Sequence, residues 1–377
     1  MTLRRTRAVA LKELRHITRD RRSLWMALAM PLLMIVLFGY ALSLDVDRVP
    51  MLIYDGDNTA ASREIVERFH ASRFFDVRGV TRDYGEIESA IDRGEVLMAA
   101  AIPTGYGGDL QAGQTAKVQI IVDGSDSNTA SIALGYAETL IRNHSFELRR
   151  AEQVRRMGRP LDPPLDARLR VLFNSQMESK NYVVPGLIAV ILMIIAALLT
   201  SLTIAREWEM GTMEQLLSTP VRPAELVLGK MLAYSVVGFA DMLLAIGAGV
   251  MIFGVPLRGS VVLLFATCTL FLFGALFWGI FLSATARTQV LAFQMGILSS
   301  FLPAFLLSGF VYAIENMPAV IQAITRVVPA RYFVTILKGI FLKGVGLEVL
   351  WGEAAFLVLY ALLVFLAATR KLSRKMA

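Results

Sequence analysis

Cysteine is almost missing from this chain, with one residue, Cys268, in 377. A lone cysteine forms no intrachain disulfide, and inside an apolar run it reads as a small buried side chain, so redox chemistry finds no support. Charge is also scarce: 18% of residues are charged against 55% hydrophobic, and the mean hydropathy is +0.57. That balance is too apolar for an ordinary soluble chain and marks an integral membrane protein. Of the three histidines, His70 and His144 stand without neighbouring ligand spacing, and Asp123 and Asp126 suit turn and cap positions, so no metal site is expected. A zinc-protease pair, a serine elbow, a close intramembrane carboxylate pair and a fixed-period repeat are all lacking, which speaks against a membrane-embedded enzyme. Gly229-Lys230 has neither the upstream glycine nor the following Ser or Thr of a phosphate loop, so the chain carries no nucleotide site of that kind.

Long apolar runs are what the sequence does have. A span needs about 20 predominantly apolar residues. Six segments qualify: residues 23–44, 182–204, 231–253, 260–284, 289–311 and 349–369. Residues 314–328 are apolar but too short and interrupted to cross, so the external segment 312–348 reads as re-entrant. The first run resembles a signal peptide only at "ALS" (41–43); its charged flank and apolar stretch are too long for one, so a retained anchor is expected.

Segments 1–22, 205–230, 285–288 and 370–377 together hold 16 basic and 6 acidic residues, which assigns both termini to the cytoplasm. This positive charge gathers at membrane ends with no aromatic-basic platform, so its natural partner is anionic lipid rather than nucleic acid. In residues 1–22, Leu3, Ala10, Leu14 and Ile17 fall at helical spacing among arginines and predict an amphipathic interfacial helix. Residues 45–181 would be an extracytoplasmic α+β domain. It would have a strand and loop at "VPMLIYDGDN", strands at 75–80 and 96–102 and a strand ending in a turn at "AKVQIIVDGSDSN", helices at 60–71, 86–93 and 129–157, and a last strand at "ARLRVLFN". The fold expected is therefore an all-α bundle of six transmembrane helices with an inserted α+β domain.

The segment "REWEMGTMEQLLSTPVRPAELVLGK" (206–230) is too organised for a simple turn. Trp208, Met213, Leu216 and Leu217 fall near one side of a short helix, leaving Glu207, Glu209 and Glu214 available to water. Thr219-Pro220 ends that helix, and Pro223 and Glu225 start the next. A short helix with an acidic outer face suits docking into a groove on a soluble partner.

This stretch closely resembles the cytoplasmic loop of permeases in the type-two ABC exporter superfamily. "SGFVYAIENMPAVIQAITRVVPARYFVTILKGIFLKG" (308–344) resembles the external re-entrant region of that family, and "RDRRSLWMALAMPLLMIVLFGYAL" (19–42) is similar to the start of its multidrug subset, which carries a large external domain. The resemblance implies a permease dimer, of like or related subunits, driven by a cytoplasmic ABC ATPase that holds the ATP and Mg, with no cofactor on this chain. It also implies that the short helix is a coupling helix, with Glu207, Glu209, Gly211, Thr212, Glu214 and Leu216 as ATPase-coupling residues. Ala313 departs from the proline common in relatives before "IENMP". An adaptor protein and outer-membrane channel could join through the external domain if the source has two membranes.

Three further sets are candidates. Asp241 lies near mid-membrane in the third span, where an ionisable residue is costly, and serves either a transport path or a structural hydrogen bond. Gly296, Ser300, Ala304 and Ser308 form a small-residue packing seam, at the dimer interface or within one subunit. Glu315, Asn316 and Pro318 would break a helix at an external gate. The function expected is ATP-driven export of drugs or other amphipathic compounds. Lipid or polysaccharide export, and an ABC-coupled assembly or mechanotransmission role without flux, are the alternatives.

Overall fold

The computed structural model describes residues 2–41, 48–157, 172–174 and 178–376. They form two compact units, one from residues 1–43 and 171–377 and the other from residues 44–170. The chain opens with α1 (Leu3–Arg19), and after Asp20, whose N–H bonds the His16 carbonyl, continues as α2 (Arg21–Ala41) with Pro31 inside it. The face of α1 buried within the chain is Thr6, Val9 and Glu13, while Leu3 is 86% exposed. A carboxylate takes the place of a leucine on the inward side because a cation waits for it.

The second unit alternates β1 (Val49–Asp55), α3 (Ala60–Ala71), β2 (Phe75–Thr81), α4 (Tyr84–Asp92), β3 (Met98–Ile102), α5 (Tyr106–Gln111), β4 (Gln119–Val122) and α6 (Ser127–Met157). Sheet order is β2-β1-β3-β4, with β1 parallel to β2 and β3, and β4 antiparallel to β3. Parallel neighbours require crossover connections, which α3 and α4 supply. Successive side chains of one strand enter opposite cores: Met51 and Ile53 meet Ile65 and Phe69 of α3 and Ala133 and Ala137 of α6, while Leu52 meets Ile87 and Ala90 of α4. Burial on both faces explains why β3, "MAAAI", is apolar throughout. The layering is thus helix, mixed sheet, helix, built from βαβ crossovers rather than from segregated strands and helices. Helix α5 has no counterpart in the sequence reading. The strand expected at 167–174 lies mostly outside the described residues, and 172–174 are not in a strand.

Asp57 closes one loop of this unit. Its carboxylate accepts from the Thr59 hydroxyl at 2.6 Å and from the Gly105 and Gly107 N–H groups, both at 2.8 Å. Those hydrogen bonds, Thr59 first, hold its pKa below the ordinary value. A Cβ on Gly107 would sit 2.7 Å from Thr59 Oγ1, so the loops approach this closely only because the residue is glycine.

The first unit resumes with α7 (Ser179–Glu209), α8 (Met213–Leu217), α9 (Pro223–Met251), α10 (Val261–Thr285), α11 (Gln289–Gly296), α12 (Leu302–Leu307), α13 (Ala319–Thr325), α14 (Pro329–Lys338) and α15 (Leu347–Met376). Among the described residues, five helical segments are long and apolar enough to cross a membrane: 179–209, 223–251, 261–285, 289–307 and 347–375. A sixth is possible in length if the pair 319–325 and 329–343, bent by 84°, counts as one span; the apolar part of α2, Ala27–Ala41, is shorter. The span of residues 289–307 is not the uniform helix expected, since a π turn at Ile297–Phe301 joins α11 to α12. Pro303 has no N–H to donate, and a wider turn just before it absorbs the missing bond.

Helix α7 is the axis of this unit, buried along 78% of its most apolar window. It meets α10 most closely at Gly279, where an added Cβ would collide with Thr200 Oγ1 and the Ala197 carbonyl. Thr200 donates to the carbonyls of Ala196, at 2.8 Å, and Leu276, at 3.0 Å, stitching the two helices at that crossing. Small residues let membrane helices come this close.

Candidate functional site

Helix α7 runs past the expected boundary at Ile204, so Glu207 and Glu209 belong to its last turn. Met210 and Gly211 end it, and Gly211 takes φ 70°, a left-handed C-terminal position that favours glycine. The short helix after the break is therefore only α8, with Met213 fully buried beneath it and Leu216 packed on the core. Thr212 and Glu214 are exposed.

Glu207 is not available to water as its spacing suggested; it is 7% exposed. Its Oε1 accepts from Lys12 Nζ at 2.8 Å, and its Oε2 lies 3.0 Å from Lys230 Nζ. Lys230, in the second turn of α9, is 1% exposed and donates to Glu13 Oε1 at 2.9 Å; Lys12 also reaches that oxygen, at 3.2 Å. Two carboxylates and two ammonium groups thus neutralise one another across α1, α7 and α9. Burial alone would raise the Glu13 carboxyl, but Lys230 and Lys12 outweigh it and hold the group below its ordinary value. Burial would likewise lower the Lys12 ammonium, yet Glu207 and Glu13 leave it raised.

Helix α1 is fastened at two further points. Val9 and the Thr6 carbonyl press on Gly229, where a Cβ would sit 2.6 Å from Val9 Cβ. The Thr2 N–H donates to Glu225 Oε1 at 2.6 Å, and Arg5 Nη1 donates to the Pro220 carbonyl at 2.6 Å. The pair Gly229-Lys230 is therefore a docking seat: glycine admits α1 and lysine holds it. Sequence reasoning missed Lys12, Glu13 and Lys230. The available signals were a single carboxylate in an otherwise basic helix and a lysine at the mouth of an apolar run.

Beside the cluster lies a cavity of about 480 Å³, walled by α1, α2, α7, α8, α9 and α11. Its lining holds leucines and Phe293 together with His16, Arg206, Lys12, Glu13, Asp20 and Glu207.

A family description, ABC-2 family transporter protein, matches residues 21–370. The chain belongs to the ABC-2 family of transporters. It is 36% identical over 364 residues to the "Probable multidrug ABC transporter permease YbhS" of Escherichia coli, covering 96% of this chain and 95% of that one. It is 32% identical over 358 residues to the corresponding protein YbhR of the same organism, with 95% and 94% covered. The E. coli "Inner membrane transport permease YhhJ" is 28% identical over 374 residues, with 94% and 92% covered. The chain is a multi-pass inner-membrane permease subunit of an ABC exporter, and the ATPase is a separate subunit. A partner permease completes the membrane part.

The remaining candidates of the permease fall in separate places. Glu209 is exposed and accepts from Gln289 N at 3.0 Å and Nε2 at 3.1 Å, so it caps the loop before α11. Asp241, in α9, is fully buried, and neither carboxylate oxygen has a hydrogen-bond partner among the described residues. Gly296, Ser300, Ala304 and Ser308 are all buried within the single chain; a Cβ on Gly296 would lie 3.1 Å from Leu198 and 3.3 Å from Ser201 Oγ of α7.

Glu315, Asn316 and Pro318 sit exposed at the tip of the bent segment, where Pro318 caps α13 and Gln322 Nε2 donates to the Met317 carbonyl at 2.9 Å. Behind them, Lys338 Nζ donates to the Gly309 carbonyl at 3.0 Å and lies 3.4 Å from the centroid of the Tyr182 ring, while the Tyr182 hydroxyl donates to the same carbonyl at 2.8 Å. This contact ties α7, the chain after α12 and the bent segment together. Among the described residues, no group of three or more His, Cys, Asp or Glu is arranged to hold a metal.

Proposed function

We propose that this permease moves drugs or other amphipathic compounds outward across the inner membrane. Its relatives' names carry the drug reading. Six crossings are proposed, by α2, α7, α9, α10, residues 289–307 and α15, with the bent pair α13 and α14 re-entrant. Both termini then lie in the cytoplasm, in keeping with the basic flanks, and residues 45–181 lie outside.

The observation that carries the mechanism is the charge cluster around Lys230. A partner ATPase, holding ATP and Mg, would press on α8 through Glu214, Thr212 and Leu216. Met213 and Leu216 pass that force to the core, and Glu207, one turn before Gly211, is locked to α1 and α9 by Lys12 and Lys230. Such a junction moves as one body, the kind of rigid displacement that alternates access. The exposed carboxylate of Glu214 remains free to meet a cation on the partner, whereas Glu207 acts inside the junction. An adaptor and an outer-membrane channel would meet the external domain.

Affinity purification of the tagged permease from native membranes tests this reading. Wild type should retain an ABC ATPase, and a folded Glu214→Arg variant should lose it. Retention undiminished in the variant would take Glu214 out of the interface, and absence of any ATPase after gentle crosslinking would overturn the exporter mechanism.

A further inference from the structure

The cavity beside the charge cluster is not used by the coupling mechanism. Its composition is divided. Leu24, Leu198, Leu202, Val237 and Phe293 form an apolar part, and Arg206 and His16 stand at the polar end. Of the carboxylates that border it, Glu13 and Glu207 lie against Lys230 and Lys12, and Asp20 also has an interaction of its own.

Arg206 is the unusual member. It is half-buried, its Nε donates to Gln289 Oε1 at 3.2 Å, and its Nη1 lies 3.4 Å from His16 Nε2. Among the described residues it makes no ion pair with a carboxylate. With Nε and Nη1 so engaged, Nη2 is the nitrogen without a partner among the described residues, and it is suited to a charge-assisted hydrogen bond to a phosphate. The approach is favourable as well, since α1 carries Arg4, Arg5, Arg7, Lys12, Arg15 and Arg19 against a single acidic residue, Glu13. Basic segments of this kind gather at anionic leaflets.

The geometry points to a binding site for one anionic phospholipid of the inner leaflet, with its phosphate on Arg206 and His16 and the start of an acyl chain among the leucines and Phe293. A free phosphate would leave the apolar part unfilled. The volume, about 480 Å³, is that of a single-ligand pocket, so the rest of the lipid extends into the bilayer. The bound lipid wedges α1 and α2 against the end of α7, beside the coupling helix, and so stiffens the junction through which force passes. This site does not depend on ATPase docking, and either can fail without the other.

The test is native mass spectrometry of the full-length permease, purified with its own subunits and titrated with dioleoylphosphatidylglycerol, dioleoylphosphatidylcholine or inorganic phosphate. One phosphatidylglycerol per chain should be retained, with phosphatidylcholine held about tenfold more weakly, as expected for loss of a charge-assisted contact. Inorganic phosphate should not displace the lipid. Arg206→Gln should weaken phosphatidylglycerol retention about tenfold, and Leu202→Trp, which fills the apolar part without touching a charge, should weaken it as well. If either variant fails to fold, the wild-type titration still decides. Equal retention of the two lipids, displacement by millimolar phosphate, or retention unchanged in both folded variants would overturn the assignment.

Discussion

Lys230 and Glu13 are separated by 217 residues in sequence and by 2.9 Å between Nζ and Oε1. The contact joins α1 to α9, and Glu207 brings α7 into the same cluster. A buried pair of this kind is weak evidence for net stability, because desolvation offsets much of the attraction, but it is costly to break.

Replacing one partner should therefore be severe. Lys230→Met leaves Glu13 and Glu207 buried with only Lys12 to share, and should destabilise the permease by roughly 3–5 kcal/mol. Adding Glu13→Leu should recover a good part of that loss. Thermal unfolding in detergent, read for both variants, checks the pair; a single substitution as stable as wild type would mean that the cluster is not closed in the native protein.

The same cluster sets a pH window. Glu13 is held below its ordinary value of 4.5, so its contribution is present above that pH and is lost as pH falls through the lowered folded value. Lys12 is raised above 10.5, so its contribution is present below that pH and is lost as pH rises through the raised folded value. Between pH 5 and pH 10, on these ordinary values, α1 should stay docked. Hydrogen exchange of residues 3–19, corrected for intrinsic rates, should be flat across that window and lose protection progressively as pH falls below 4.5, the ordinary value.

Gly279→Ala should cost about 1–3 kcal/mol through overpacking. The added methyl would meet the Ala197 carbonyl, which is backbone and cannot rotate away, and Thr200 Oγ1, which is engaged by two carbonyls. Gly135→Ala, at a helical glycine with open space around it, is the control and should be neutral or stabilising. Melting temperatures of the two variants, compared with wild type, decide between crowding and a general effect of losing glycine.

Ala313→Pro should stabilise by about 0.4–1 kcal/mol. Ala313 already has φ −61° and ψ 131°, close to what proline imposes, and its N–H donates to no group among the described residues. The turn before Ile314 thus already holds a backbone geometry that proline would impose. A loss of stability would show that the N–H or the preceding residue is constrained in a way the turn does not reveal.

These sites differ in how far the sequence discloses them. The turn signals around Pro220, Pro223 and Pro318 were legible because proline and its neighbours restrict the local backbone whatever surrounds them. The apolar runs were legible because crossing hydrocarbon demands about 20 such residues in succession. Glu207 was misplaced: its neighbours suggest a solvated helix face, but α7 continues to Glu209, and the partners that bury Glu207 come from 195 residues upstream and from α9. The seam from Gly296 to Ser308 was visible as a spacing, yet spacing does not say which neighbour fills it. The external unit was seen as alternating strands and helices, but its parallel order had to come from the pairing of β1 with β2 and β3.

By itself the sequence determined the apolar runs long enough to cross a membrane, the turns that interrupt residues 206–230 and the motif that resembles a permease family. Those properties follow from hydropathy, local backbone preference and a motif, all of which act along the chain. Only the tertiary structure decided that Gly229 seats α1 and that Lys230 gathers Glu13 and Glu207. It also decided that Arg206 lines a cavity together with leucines and Phe293 and, among the described residues, makes no ion pair with a carboxylate. Charges that are ordinary at the surface become specific when packing removes water and leaves each with the one partner it can reach.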